Sequence, residues 1–260
     1  MKANYHTHTY LCQHAYETPR DYVEKAVRAG METLGFSDHV PYRFLNGYVS
    51  KCRMPLSEID NYLSMILDLR EEYKDRIEIL IGYEVEYYRD EFAGMLEEIR
   101  ARHCDYIILG QHYLYNEYDE HGVYGGETRP EDPADRFDVY ADGILAGIET
   151  GLYSYVCHPD MHAFEASDEH FARRMTEILR AAKAHDMPIE CNLHGLYTNR
   201  HYPSERLFRL VREVGNEVIM GIDAHQADEI GNEALERRGR DFLAGFGITP
   251  IEKLKLKPIL

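Results

Sequence analysis

Three histidines fall within the first fourteen residues, as His6-Thr7-His8 and His14, and a carboxylate-x-histidine pair, Asp223-Ala224-His225, lies near the other end. On a β-strand, residues i and i+2 project from one face about 6.6 Å apart, so each pair can grip a cation from one side. If the first and last strands are neighbours in a closed barrel, the two pairs meet. Distant parts of the chain would then share one metal site.

The intervening sequence has the pattern needed to build that barrel. Short apolar or β-branched runs, Asn4–His8, Thr33–Ser37, Ile77–Glu84, Asp105–Gln111, Ser154–Cys157, Pro188–Asn192 and Glu217–Ile222, alternate with longer amphipathic ones. Thr18-Pro19-Arg20-Asp21 supplies an N-cap, a proline at the first helical position and a first-turn acid, with Gly30 as the stop. Ser57-Glu58-Ile59-Asp60 opens a helix carrying Ile59, Leu63, Ile66 and Leu67 at helical spacing. Further helices are expected over Asp90–Ala101, Pro133–Thr150, Asp168–His185, Ser204–Val214 and Asn232–Leu243. Strand then helix, repeated about seven times with right-handed crossovers, predicts an α/β fold of the TIM-like barrel type. The stretch Tyr113–Asp135, rich in Tyr, Gly and acids, is long for a loop and reads as a lid or substrate segment.

On that scaffold the metal-binding residue types cluster at strand C-terminal ends, the face where such barrels do chemistry. His6 and His8 lie on the first strand and Asp38-His39 after the second. Glu84 ends the third, His112 follows the fourth, His158 the fifth, and Asp223 with His225 the seventh. The remaining His103, His121, His162, His170, His185 and His201 lack this placement and read as ordinary hydrogen-bonded residues.

These residues resemble the successive motifs of the PHP (polymerase and histidinol phosphatase) superfamily. The motifs are His6-Thr7-His8 with His14, Ser37-Asp38-His39, Gly82-Tyr83-Glu84, Gln111-His112, Cys157-His158-Pro159 and Asp223-Ala224-His225. The resemblance runs from residue 6 to 225 with all nine ligand positions in order, and within the superfamily it is nearest to the stand-alone histidinol-phosphate phosphatases. It implies a distorted (β/α)7 barrel, the PHP fold, around three divalent ions. His6, His8, Glu84 and Asp223 would bind one ion; His14, His39 and again Glu84 a second; His112, His158 and His225 a third. The activity it implies is hydrolysis of L-histidinol phosphate in histidine biosynthesis. The alternative is a PHP phosphoesterase acting on a nucleotide or sugar phosphate.

Mixed imidazole and carboxylate ligands suit Zn, Mn or Fe, whereas calcium takes oxygens alone. A hydroxide bridging two such ions is a strong nucleophile at neutral pH and could attack phosphorus in line. Arg200 and His194, in the segment after the sixth strand, are the catalytic candidates, Arg200 through a bidentate fork on phosphate. Asn192, Tyr113 and Arg43 are substrate-binding candidates. For Arg200 and Arg43 the competing reading is a surface arginine paired with an acid, and for Asn192 a loop-holding hydrogen bond. Asp38 reads as an orienter of a neighbouring histidine.

Composition bounds the rest. At 260 residues and 44% hydrophobic, the chain can bury one core, and a single domain over residues 1–260 is expected. Five scattered cysteines without a C-x-x-C pattern read as free thiols. No apolar run approaches a bilayer span and the N-terminus lacks a signal-peptide pattern, so a cytoplasmic protein is expected. A net charge of −17 opposes nucleic-acid or anionic-membrane partners, leaving a small phosphate ester whose charge the metals would neutralise. An amidohydrolase-type barrel also opens with H-x-H, but often uses a lysine on its fourth strand, and Asp105–Gln111 contains none. A noncatalytic PHP module that has lost ligands is the third class, yet no ligand is missing here. No pattern specifies an oligomeric state.

Overall fold

A computed structural model describes residues 1–118, 124–126 and 135–259. Six strands form parallel ladders: β1 (Ala3–Asn4), β2 (Thr33–His39), β3 (Glu78–Val85), β4 (Tyr106–Leu109), β5 (Ile189–Asn192) and β6 (Val218–Gly221). β1 to β4 pair in sequence order, as do β5 and β6. Single parallel bridges, Leu109 to Val156 and Val156 to Ile189, join the two sheets, and a bridge from Thr7 to Ala224 brings the last strand back to the first. The result is the expected α/β ring of seven positions, distorted because two of them are nearly ladder-free.

Both departures have local causes. The first strand was expected to run to His8, but beyond Asn4 a side chain takes over. Asn4 Nδ2 donates to His6 O and Thr7 Oγ1 at 2.9 and 2.8 Å, and its Oδ1 accepts from Ile222 N at 2.9 Å. The fifth strand shrinks to Val156 because His158, two residues on, turns the backbone to φ 27°.

Around the ring lie α1 (Pro19–Arg28), α2 (Ile59–Tyr73), α3 (Phe92–Arg100), α4 (Arg136–Glu149), α5 (Asp168–Ala184), α6 (Leu193–Tyr197), α7 (Glu205–Val214) and α8 (Glu233–Ala244). Their caps are those the sequence advertises. Asp21 accepts from Thr18 N at 2.8 Å, Ser204 Oγ accepts from Leu207 N at 3.2 Å, and Gly215 closes α7 at φ 74°. α6 was not expected: it is too short for a periodic signal and is started by Asn192, whose Oδ1 accepts from Gly195 N. The expected start of the fourth helix at Pro133, and residues 119–123 and 127–134 of the expected lid, lie outside the described residues.

The main core lies between the sheet and the helices. A smaller one fills the barrel, where Tyr106 spans the interior and donates to Tyr5 O and Phe36 O at 2.7 and 3.1 Å. Leu254 and Leu256 of the C-terminal segment pack against it, and Ile251 N bonds Val218 O at 2.8 Å. That closes the end of the barrel opposite the histidines. No helix among the described residues is long and apolar enough to cross a membrane.

Candidate metal centre and active site

At the open end, four groups converge from opposite ends of the chain. His6 Nε2 lies 3.4 Å from Asp223 Oδ1 and 3.6 Å from Glu84 Oε2, while His8 Nε2 lies 3.1 and 3.5 Å from the same two oxygens. The Thr7–Ala224 bridge is what aligns them, by placing His6 and His8 beside Asp223 and His225. The other five expected ligands are also present, but they group differently from what the resemblance implied.

His112 and His158 go with Glu84: their Nε2 atoms lie 3.4 and 2.9 Å from Glu84 Oε1. His225 goes instead with His14 and His39. Its ring is 5.0 Å from that of His14 and 4.3 Å from that of His8, and His14 is 5.2 Å from His39. Order around the ring explains the correction. His112 and His158 follow neighbouring strands, whereas His225 follows β6, which adjoins the first strand on the far side. Glu84 reaches both groups, since its Oε2 also lies 3.0 Å from His39 Nδ1.

Backing groups fix most of these rings. His6 Nδ1 lies 2.8 Å from Glu190 Oε1, His112 Nδ1 2.9 Å from Glu86 Oε1, and His14 and His225 Nδ1 face main-chain carbonyls at 2.8 and 3.0 Å. Each contact leaves Nε2 as the nitrogen facing the centre, the usual arrangement behind metal ligands. Asp38 accepts from Thr9 N and lies 3.6 Å from His8 Nδ1, too far for a hydrogen bond to that ring. Two glycines make room for the carboxylates. A Cβ on Gly110 would collide with Glu84 Oε1, and one on Gly221 with Glu190 Oε1.

A divalent cation fits this donor set. His6 Nε2, His8 Nε2, His39 Nδ1 and Glu84 Oε2 are buried with no hydrogen-bond partner among the described residues, an arrangement costly for polar atoms lacking a ligand. Nor can the rings all carry protons. Burial opposes charge on His8, but the adjacent carboxylates of Asp223 and Asp38 overcome it and raise its pKa to about 9. Burial and then that His8 charge push His39 down to about 3, and lower His14 and His225 as well. Burial likewise works against ionising Glu84 and Asp223, yet the surrounding imidazoles hold both carboxyls well below the usual range. The carboxylates are therefore ionised and His14, His39 and His225 neutral, the forms that bind metal, whereas the neighbouring carboxylates favour the protonated forms of His6, His8 and His112, whose protons a cation would displace.

All of these groups except the fully buried His6 line a cavity of about 510 Å³. Among the other expected residues, Arg200, His194 and Tyr113 line it too. His194 Nδ1 is held by Glu229 Oε2 at 2.8 Å, and Arg200 is a hydrogen-bond partner of Tyr124. Asn192 lies beneath the cavity: its Nδ2 bonds Glu190 Oε2 at 2.9 Å and Asp223 Oδ2 at 3.0 Å, which makes it a brace and not a substrate contact. Arg43 is not brought to the site. It stands exposed and pairs with Glu98 at 2.6 Å on α3, because its side chain points outward between the buried Tyr42 and Phe44. Cys157 Sγ lies 3.5 Å from Glu84 Oε1, and all five cysteines are free.

Sequence reading missed Lys51, Arg53, Glu86 and Tyr202 in the cavity wall. Glu86 had a signal, two residues beyond Glu84. Arg53, buried and bound to Glu86 at 2.9 Å and to Glu117, carried none.

The family model described as the PHP domain matches residues 4–194. The chain is 26% identical over 258 residues to a histidinol-phosphatase of Bacillus subtilis, covering 89% of this chain and 96% of that one. It is 25% identical over 228 residues to a probable histidinol-phosphatase of Deinococcus radiodurans, covering 87% of each. Among solved structures, the histidinol phosphate phosphatase of Lactococcus lactis, complexed with zinc, L-histidinol and phosphate, superposes with a TM-score of 0.70 at 20% identity. The alignment covers 99% of this chain and 97% of that one, and it establishes a shared fold.

Proposed function

This chain belongs to the PHP domain family, and from that premise we propose that it is a metal-dependent phosphomonoesterase that hydrolyses L-histidinol phosphate to L-histidinol and phosphate in histidine biosynthesis. The observation that carries the chemistry is the convergence of nine imidazole and carboxylate side chains on one centre, eight of them lining a cavity that Arg200 also lines. The names of the relatives of similar length, and the ligands of the Lactococcus structure, support the substrate.

Three divalent ions, Zn, Mn or Fe, would be held by His6, His8, Glu84 and Asp223; by Glu84, His112 and His158; and by His14, His39 and His225. Such ions supply Lewis acidity, lowering the pKa of water towards 7 and neutralising phosphoryl oxygens for attack by hydroxide on phosphorus. Glu84 directs its two carboxylate oxygens to different imidazole groups and so joins the ion sites. Arg200 offers a planar fork to the non-bridging oxygens. His194, fixed through Nδ1 by Glu229, presents Nε2 for the proton that the departing alkoxide needs. The whole chain, 1–260, acts as one phosphoesterase domain on a cytoplasmic small molecule.

The test is to count bound metals in purified protein and to assay phosphate release from histidinol phosphate beside nucleotides and sugar phosphates. Preference for histidinol phosphate is expected. Equal rates across the panel would remove the substrate assignment and leave the chemistry standing.

A further inference from the structure

Behind the wall of the catalytic cavity lies a second recess of about 450 Å³, whose lining includes Asp160, His162, Phe164, Phe171, Ser204 and Arg206. His162 is 6% exposed, yet neither Nδ1 nor Nε2 has a hydrogen-bond partner among the described residues. Its ring stands 4.5 Å from that of Phe137 and 5.6 Å from that of Phe164, with Tyr140 and Phe171 at 5.4 and 5.9 Å. A phenyl ring would fill this aromatic box without stripping water from two polar nitrogens. As packing the imidazole is a poor choice; as a recognition group it is a good one.

The charges around it narrow the ligand. Burial first, then the neighbouring His201 and Arg206, bring the His162 pKa down to about 3, so the ring is neutral and offers one donor and one acceptor. Arg206 is already committed. Its guanidinium covers the Phe171 ring at 4.0 Å and donates to Ala166 O and Ser167 O at 3.1 and 2.9 Å. Asp160, itself buried, accepts from Ser204 N at 2.7 Å. Among the described residues that line the recess, neither a free cation nor an exposed carboxylate is left to attract a charged ligand.

We infer that this recess binds a small neutral nitrogen heteroaromatic, a planar ring bearing an N–H and a ring nitrogen, which stacks on the phenylalanines and hydrogen-bonds to His162. Two segments separate it from the catalytic cavity. Met161 and Tyr202 face the catalytic side, while Asp160, His162, His201 and Ser204 face the recess, and His201 Nε2 ties the segments together at Met161 O and His162 O. An occupant therefore shares a wall with the substrate.

The test titrates benzimidazole into the whole, metal-loaded protein by calorimetry, with and without saturating inorganic phosphate, beside His162→Phe and His162→Leu. One equivalent should bind together with phosphate, each ligand shifting the other's Kd by the same factor. Both variants should weaken benzimidazole about tenfold or more, as expected for a lost hydrogen bond in a dry site, and keep wild-type turnover. Lack of saturable binding, mutual exclusion with phosphate, or unchanged affinity in the variants would overturn the inference. So would failure of both variants to fold, which would make His162 a structural group.

Discussion

Glu190 Oε1 lies 2.8 Å from His6 Nδ1, with both side chains sealed from solvent. The same carboxylate accepts from His158 N at 3.0 Å and from Asn192 Nδ2 at 2.9 Å through its other oxygen, so one buried anion supports three sides of the centre. Glu190→Gln keeps the volume and removes the charge. Metal affinity should fall roughly 10- to 100-fold, the usual cost of losing such a partner. Competition against a chelator of known affinity measures it, and wild-type affinity in the variant would show that Glu190 only fills space.

Glu84 is placed to serve two ions, so its loss should not resemble the loss of a single imidazole. Glu84→Gln should abolish most turnover and lower occupancy at two of the three positions, read by elemental analysis. A fully loaded, fully active variant would mean that the bridge is elsewhere.

Gly110 follows β4, the strand beside that of Glu84, and leaves no space for a methyl group against the Glu84 carboxylate. Gly110→Ala should cost about 1–3 kcal/mol of stability through overpacking, and should displace the carboxylate enough to reduce metal content. Denaturant melts together with metal analysis separate the two effects. Normal metal content in a destabilised variant would detach Glu84 from the site's assembly.

Chelation should expose how far the ions hold the fold. A ligand present at 100 times its Kd stabilises by about 2.7 kcal/mol, so stripping each tightly held ion should lower the thermal midpoint by roughly 5–10 °C. Activity should vanish with it and return on adding Zn, Mn or Fe. Equal melting with and without chelator would count against pre-bound metal.

His162 predicts an acid-sensitive stability outside the metal centre. Its folded pKa, about 3, lies below the ordinary value of 6.5, so between these values the unfolded chain binds the extra proton. Its neutral form is therefore tolerated above pH 6.5, and stability is lost as pH falls from 6.5 towards 3, by at most about 1.4 kcal/mol per pH unit. His162→Phe removes the titration. Melts at pH 7 and 5 should find the variant losing less stability than the wild type, and parallel losses would contradict the shift.

The types and positions of the nine centre residues were readable because period-2 spacing and strand ends leave a local signature at His6/His8, Glu84 and Asp223/His225. Their partition was not. Whether His225 sits with His14 or with His112 depends on which strand adjoins which, and only the Thr7–Ala224 and Leu109–Val156 bridges decide that. Arg53, Glu86 and Glu190 were passed over for a related reason: a buried charge is recognised by its partners, which lie 33 or more residues away for Arg53 with Glu86 and 184 for Glu190 with His6. Arg43 misled because an arginine beside a motif looks the same whether the next turn carries it inward or out to Glu98. His162 was read as an ordinary hydrogen-bonded histidine, and the aromatic box that leaves it unpaired is assembled from α4, α5 and two loops.

The first and last strands meet through one backbone rung, Thr7 to Ala224, and the bond from Ile222 N to Asn4 Oδ1, with His6, His8, Asp223 and His225 on either side of the rung. A seam so thin is the natural place for the ring to part, and the cations would straddle it like a clasp. Metal supply would then govern two things at once: the chemistry, and how often the two ends of this chain let go of each other.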